Sequence, residues 1–207
     1  IPGDEDEYRC AISAYEEDLV RLTLLFVKKC DAELPCEIVL YQALPKADKM
    51  ELVITKSVEL GVSAIVPVAT DRAVVKLDGG RAEKKTARWN GISEAAAKQS
   101  KRAIIPEVRQ VMSMNEAVES CRDFDVKIIP YELSDTDGMK NTRDIIGGIK
   151  PGDKVAVFIG PEGGFTEEEI ELAKSSGIVP VTLGRRILRT ETAGIVVLSW
   201  LVYNLEP

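Results

Sequence analysis

The sequence predicts an α/β protein with a mostly parallel sheet flanked by helices, preceded by a small all-β segment. Three observations lead to this fold class. From Glu37 onward, short apolar runs alternate with stretches of helical periodicity, which is the pattern of a parallel sheet. The run 154–159 is apolar throughout, as in a strand buried on both faces. Before residue 35 no helical period is present.

The N-terminal segment predicts two strands, 8–15 and 19–28, joined by an acidic turn at 16–18. Pro35 marks the boundary that we predict between a first domain, 1–35, and a second domain, 36–207. The chain begins with Ile1 instead of methionine, and we therefore expect that residues are missing at its start.

The second domain opens with a predicted strand at 38–43 and a helix at 49–60. In that helix Met50, Val53, Ile54 and Ser57 share one face. A strand at 63–68 and a helix at 82–99 follow, and the stripe that contains Trp89 predicts a core position for this tryptophan.

The middle of the domain continues with a strand-like run at 104–111. Ser113 and Glu116 predict a capping box for a short helix. A strand at 126–129 feeds the loop 130–133, and a short helix is predicted at 142–149.

The strongest signals lie between residues 154 and 194. The strand 154–159 runs into Gly-Pro-Glu-Gly-Gly at 160–164, and Thr166 with Glu169 predicts the capping box of the next helix. Gly177 ends that helix, and a strand at 179–183 leads into a second glycine-bearing loop, 184–194. Both loops follow parallel strands, and ligands of open α/β sheets bind at the carboxyl ends of such strands.

The loop 160–164 has a plain alternative interpretation as a tight turn from strand to helix. It is not the dinucleotide fingerprint, because Glu162 stands where the second glycine belongs, and it lacks the Gly-Lys-Ser/Thr of a Walker loop. A carboxylate in the loop argues against a pyrophosphate ligand and suits a ligand with a positive charge.

The predicted last helix, 191–205, is apolar nearly all round. Such a helix must be buried on every side, and one sheet covers only part of it. We therefore expect it to pack against a second copy of the chain.

Composition excludes several classes of protein. The 207 residues include no histidine, which removes Ser-His-Asp triads and most zinc sites, and the four cysteines lack metal-ligand spacing. We expect free thiols in the cytoplasm, no metal, and no membrane segment, because no apolar run reaches eighteen residues. The net charge of −7 disfavours a protein that binds nucleic acid over its whole surface.

The charge is unevenly distributed. Residues 71–102 contain nine Lys/Arg and four acids, which is either a solvated helix face or a single RNA-binding patch.

Residues 160–166 and 183–193 together resemble the RsmE family of the SPOUT superfamily. The stretches 44–50 and 94–102 agree with that resemblance. Members of this family methylate N3 of a uridine in 16S ribosomal RNA of the 30S subunit with S-adenosyl-L-methionine. The resemblance further implies a trefoil knot in the second domain, a PUA-like RNA-binding β-barrel in the first, here incomplete, and a homodimer.

The resemblance also implies site residues. The implied cofactor-binding residues are Leu133, Ile159, Gly160, Pro161, Glu162, Gly163, Gly164, Leu183, Gly184, Ile187, Leu188, Arg189, Thr192 and Ala193. The implied RNA-binding residues are Arg72, Lys84, Lys85, Arg88, Glu94, Gln99 and Arg102. Glu94, Gln99 and Arg102 have two alternatives, in which they complete the catalytic site or form an ordinary helix end.

Four residues are candidates for the chemistry. With no histidine present, Glu162 and Glu191 are candidate bases, and Arg189 and Arg186 are candidates to stabilise charge on the uracil. Each arginine has the alternative of a structural ion pair between the loops. Two other classes stay open, a nucleotide-binding α/β protein and a noncatalytic RNA-binding module.

Overall fold

The computed structural model describes residues 6–75, 77, 79–131 and 138–206. The predicted α/β class with a parallel sheet is confirmed. In chain order the elements are β1 (Asp6–Tyr15), β2 (Val20–Lys29), β3 (Glu37–Ala43), α1 (Lys49–Glu59), β4 (Ala64–Ala69), α2 (Gly79–Gln99), β5 (Glu107–Val108), β6 (Met112–Ser113), α3 (Met114–Ser120), β7 (Val126–Pro130), α4 (Gly138–Gly147), β8 (Lys154–Ile159), α5 (Glu167–Ser175), β9 (Val179–Val181) and α6 (Thr190–Leu205).

The first two strands form the predicted antiparallel hairpin, with two irregularities in its register. Its apolar side chains, among them Leu22, Leu24 and Phe26, are largely exposed. The hairpin is consistent with part of a small barrel, and the PUA-like barrel itself stays a prediction.

The described strands after residue 36 form one sheet in the order β5-β4-β3-β8-β7-β9, with β6 also paired to β4. All these pairings are parallel. The run 104–111 was predicted as one strand, and this was wrong. Only 107–108 pairs there, with β4. Pro106, directly before this pair, lacks an N–H, and its carbonyl accepts a hydrogen bond from Ser93 of α2, so this part of the backbone is bound to the helix instead of to the sheet.

Two apolar layers cover the two faces of the sheet. One contains α1, α2 and α6, with Leu40, Ile54 and Trp89 among its buried residues, so the predicted core position of Trp89 is confirmed. The other contains α3 and α5, where the rings of Tyr41 and Phe158 stack with their centroids 4.4 Å apart. Alternate residues of β3 therefore enter opposite layers, which is why this strand is apolar on both faces.

Strands β8 and β9 are neighbours in the chain but not in the sheet, because β7 lies between them. The parallel strands β8, β7 and β9 therefore lie side by side, and the loops that follow them leave the carboxyl edge of the sheet. The trefoil knot stays a prediction, because the path of residues 132–137 lies outside the described residues.

Candidate functional site

The candidate site lies at the carboxyl edge of the sheet, where β3 and β8 are adjacent. From β3 the chain continues to β4 on one side, whereas the neighbours of β8 on the other side are β7 and then β9. This change of direction is a topological switch point, where the loops of the two strands separate and leave room for a ligand. The loop after β3 and the glycine loop after β8 meet here.

The glycine loop, defined as residues 160–164, is shaped by close packing. A Cβ atom on Gly160 would lie 3.1 Å from the ring of Phe165, which is buried under the loop. Gly164 has a φ of +69°, which favours glycine, and its N–H donates to the carbonyl of Pro161 over 2.9 Å. The capping box of Thr166 and Glu169 is confirmed, so α5 begins directly after the loop.

Arg72 holds the glycine loop from outside. Its Nη1 donates to the carbonyl oxygens of Gly163 at 3.1 Å and Phe165 at 3.2 Å. The resemblance implied an RNA contact for Arg72, but the structure places its guanidinium on the backbone of the loop.

A buried polar chain ties the second loop to the first. Thr190 Oγ1 donates to the carbonyl of Gly160 over 2.6 Å and accepts from Gln42 Nε2 over 2.9 Å. Gln42 is 0% exposed, and its Oε1 has no hydrogen-bond partner among the described residues. The start of α6 is thereby fixed to the end of β3 and to the glycine loop.

One ammonium group joins three segments of the site. Lys49 Nζ donates to Glu162 Oε1 over 2.9 Å and lies 3.3 Å from Glu191 Oε2, while the backbone N–H of Lys46 also donates to Glu162. The hydrogen bond to Glu162, with a further contribution from Glu191, raises the pKa of Lys49. Burial acts to raise the pKa of Glu162, but the hydrogen bonds from Lys49 and from backbone N–H groups outweigh it and lower that pKa.

The loop before α6 presents unpaired cations. The side chains of Arg185, Arg186 and Arg189 are exposed, and none forms an ion pair with a residue that the structure describes. The alternative of a structural ion pair between the loops therefore lacks a partner in that part of the chain. Ile187, implied as a cofactor contact, is 90% exposed.

The other implied cofactor residues lie around these loops. Ile159 and Pro161 are buried, Leu183 and Ala193 pack partly against the core, and Gly184 has a φ of +107°. Leu188 is half-buried and Thr192 is exposed. Leu133 lies outside the described residues.

Five of the seven implied RNA-binding residues lie on α2. Lys84, Lys85 and Arg88 are exposed on the first half of α2, where Lys85 Nζ lies 5.9 Å from the ring centroid of Trp89 and Arg88 pairs with Glu51. Glu94, which pairs with Lys98, and Gln99 are exposed farther along the helix.

Arg102 has a structural position. Its side chain is 4% exposed and donates to Glu33 and to the carbonyl oxygens of Val58 and Val62. Because Val62 lies just before β4, this group is at the amino edge of the sheet, opposite the glycine loop. Arg102 is therefore remote from the candidate site of its own chain, and its burial makes it unavailable to RNA in this structure.

Three residues of the site were missed by sequence reasoning, and two of them carry a signal. Lys49 occupies the first turn of α1, where the helix dipole disfavours a cation. Gln42 is a polar residue within an otherwise apolar strand. Thr190 was part of the recognised loop but carried no signal that distinguished it from the other threonine there.

Two kinds of feature are absent from the described residues. They contain no group of three Cys, Asp or Glu side chains arranged to hold a metal ion. None of the helices in the described ranges has the length and apolar character to span a bilayer.

Comparisons with known proteins show similarity to RNA methyltransferases. A family model described as RNA methyltransferase domain matches residues 32–202. The ribosomal RNA small subunit methyltransferase E of Bacillus subtilis (strain 168) is 37% identical over 204 residues, which cover 98% of this chain and 80% of the relative.

Two solved structures are similar to the whole fold. The ribosomal RNA small subunit methyltransferase E of Neisseria gonorrhoeae, bound to S-adenosyl methionine, is 34% identical with a TM-score of 0.79, covering 95% of this chain and 78% of that one. A Legionella pneumophila protein in complex with the cofactor SAM is 38% identical with a TM-score of 0.81, covering 96% of this chain and 79% of that one.

Proposed function

Because this chain belongs to the RNA methyltransferase family that includes ribosomal RNA small subunit methyltransferase E, we propose that it methylates N3 of a uridine in 16S ribosomal RNA with S-adenosyl-L-methionine. The observation that carries the proposal is the joining of the two glycine-bearing loops at the switch point. Thr190 ties them through the carbonyl of Gly160, and Lys49 ties them through Glu162 and Glu191.

The site fits this cofactor in its charge and in its backbone. Glu162 and Glu191 share the ammonium of Lys49, so these three groups together carry one net negative charge, which suits a sulfonium placed beside them. A Cβ atom on Gly164 or Gly184 would meet nothing within 4 Å, so the backbone at both glycines is open to a ligand. Backbone groups of both loops would hold the adenosine and methionine parts.

The chain contributes positioning and charge stabilisation to the reaction. When bound, S-adenosyl-L-methionine supplies an electrophilic methyl group on a positively charged sulfur. The uridine N3 must lose its proton, and the resulting negative charge spreads onto the uracil carbonyl oxygens. Arg189 and Arg186 are both exposed, and each is free to donate to such an oxygen and so to stabilise charge as this develops.

The proton on N3 needs an acceptor. Glu162 and Glu191 are both candidates for this role, and the lowered pKa of Glu162 makes it a weaker base than an ordinary carboxylate. Both carboxylates contact Lys49, so either would accept a proton only with some loss of that ion pair.

The test of the proposed function uses small ribosomal subunits that lack the modification. We expect the protein and S-adenosyl-L-methionine to produce N3-methyluridine, identified by mass spectrometry of the nucleosides. Parallel reactions with free 16S RNA and assembled 30S subunits would identify the substrate. Methylation of a ribose 2′-hydroxyl or of guanine would refute the proposed specificity.

We further propose that the exposed basic residues of α2 contact RNA. Changing Lys84, Lys85 and Arg88 to glutamate should weaken RNA binding tenfold or more at about 0.15 M salt. It should also flatten the salt dependence by about 0.7 per lost phosphate contact, because fewer counterions are released. Cofactor affinity should not change. Filter binding at several salt concentrations measures both effects.

The matched control for the basic residues is Lys174→Glu on α5, which reverses an exposed lysine paired with Glu171. Equal RNA affinity in the triple variant and the wild type would identify this face of α2 as merely solvated.

We propose that the protein is a homodimer through α6. One face of this helix is buried in its own chain, whereas Ile195, Val196 and Val202 are only partly covered and Tyr203 is 89% exposed. An apolar helix face of this kind needs a further partner surface. Trp200 packs partly against its own core, so its replacement would also destabilise the monomer.

Tyr203→Glu is therefore the cleaner test of the dimer. We expect this variant to raise the dimer dissociation constant about thirtyfold or more while it retains the fold. Loss of an aromatic side chain buried in an interface typically costs ~2 kcal/mol of binding free energy, which corresponds to that factor. Light scattering at micromolar concentration measures the mass, and Tyr15→Glu on the exposed hairpin is the control. A monomeric wild type would rule out the dimer.

Two further expectations concern the hairpin and the compartment. We propose that the hairpin of β1 and β2 belongs to an RNA-binding PUA-like barrel, since it is antiparallel and exposes apolar side chains.

We place the reaction in the cytoplasm, in keeping with the four cysteines, which are all free.

A further inference from the structure

Lys49 occupies a central position in the candidate site. It is the first residue of α1, directly after the loop that leaves β3, and its side chain reaches the glycine loop and the first turn of α6. The side chain is 27% exposed, so its contacts are partly shielded from water. Shielding of this kind makes an ion pair stronger than one on an open surface.

The two carboxylates that contact Lys49 depend on it to different degrees. Glu162 also accepts hydrogen bonds from backbone N–H groups, including that of Lys46. Glu191 Oε2 is buried without a hydrogen bond from any described residue, and Lys49 Nζ is the cation beside it. Without Lys49, the Glu191 carboxylate, whose side chain is only 15% exposed, would lose its counterion, and Glu162 and Glu191 would be left as two like charges with no ammonium between them.

The bridge made by Lys49 acts next to the proposed catalytic arginine. Glu191 follows Thr190, whose hydroxyl is bonded to Gly160, and Thr190 follows Arg189, the N-cap residue of α6. The first turn of α6 is thus held by a neutral contact and by an ionic contact, both directed at the segment that follows β8. Together these two contacts fix the position of the backbone from which the Arg189 side chain extends.

We propose that Lys49 is a positioning residue that holds the first turn of α6 against the glycine loop. It thereby keeps the glycine loop, the loop 184–194 and Arg189 in fixed positions relative to one another. This inference takes the identity of the cofactor from the proposed function. Its own observations are contacts between residues of this chain. Lys49 acts through Glu162 and Glu191, and its loss should separate the two loops by charge repulsion.

Titration of the purified protein with S-adenosylhomocysteine, the demethylated product, tests this directly. Lys49→Met should weaken binding about tenfold or more, within the range of coupling between contacting charged groups. Lys49→Arg, which retains the charge, should recover most of the affinity. Lys56→Met is the matched control, since it removes an ion pair with Glu59 at the other end of the same helix and should leave affinity unchanged.

A double variant separates positioning from general stability. If unneutralised charge separates the loops, adding Glu191→Gln to Lys49→Met should restore part of the lost affinity. Wild-type affinity in Lys49→Met, or further loss in the double variant, would overturn the proposal. Thermal unfolding of each variant confirms that the protein measured is folded.

The proposed function can fail separately from this inference. If the wild type binds S-adenosylhomocysteine but modifies a nucleoside other than uridine, the specificity is wrong while the affinity series still tests Lys49. If the wild type does not bind S-adenosylhomocysteine at all, the proposed function and this inference are both refuted.

Discussion

Arg189→Ala is expected to reduce the rate of methyl transfer about a hundred- to a thousandfold, which corresponds to the loss of one charge-stabilising donor in the transition state. The reason is that Arg189 is exposed at the N-cap of α6 and has no ion-pair partner among the described residues, so its charge is available to the substrate. A group that meets charge only as it develops lowers kcat more than it raises KM.

Single-turnover assays on unmodified small subunits measure this effect, and titration with S-adenosylhomocysteine measures cofactor binding in the same variant. Arg185→Ala is the comparison, because it removes an exposed arginine from the same loop and should cause a much smaller loss. Full turnover by Arg189→Ala would exclude the arginine from the chemistry. A parallel loss of cofactor binding would assign it to the cofactor site instead.

Gly160→Val is expected to abolish measurable cofactor binding, a loss of about a hundredfold or more. The Cβ atom alone would lie 3.1 Å from the ring of Phe165, and the two further methyl groups of valine must displace that buried ring or the loop. Overpacking of this kind typically costs about 1–3 kcal/mol and shifts the backbone. The carbonyl of Gly160 also accepts the hydrogen bond from Thr190, so a shift would disturb both loops.

Gly91→Val is the matched control for the glycine loop. Gly91 lies within α2, and a Cβ atom there would meet nothing within 4 Å, so valine fits and slightly favours the helix. Calorimetric titration with S-adenosylhomocysteine compares the two variants, and circular dichroism checks their folding. Undiminished affinity in Gly160→Val would show that the loop adapts and that its close packing does not position the cofactor.

Local chemistry explains why much of the fold was predictable. The capping boxes at Ser113 and at Thr166 and the glycine stop at Gly177 all involve residues within about four positions of each other. The buried face of α1 follows in the same way from a period of 3.6 residues. Such signals do not depend on what the rest of the chain does.

The candidate site was predictable only in its loops. Both glycine-bearing loops were identified from their residues, and their common edge follows from the parallel strands that precede them. Arg72 and Arg102 both donate to backbone carbonyls, and charge alone does not distinguish such a cation from one that is free for RNA. Only the position of each guanidinium relative to its neighbours makes that distinction.

The sequence by itself determined most of the elements, the run 104–111 excepted, together with the parallel class of the sheet, the family resemblance and the two loops. The tertiary structure decided the sheet order, with β7 between β8 and β9, and the contacts that join the loops. Lys49 and Glu162 are 113 residues apart, and Gln42 and Thr190 are 148 residues apart. Contacts over such distances form only when several helices and strands have packed, so the site depends on how these elements lie relative to one another, which no local pattern encodes.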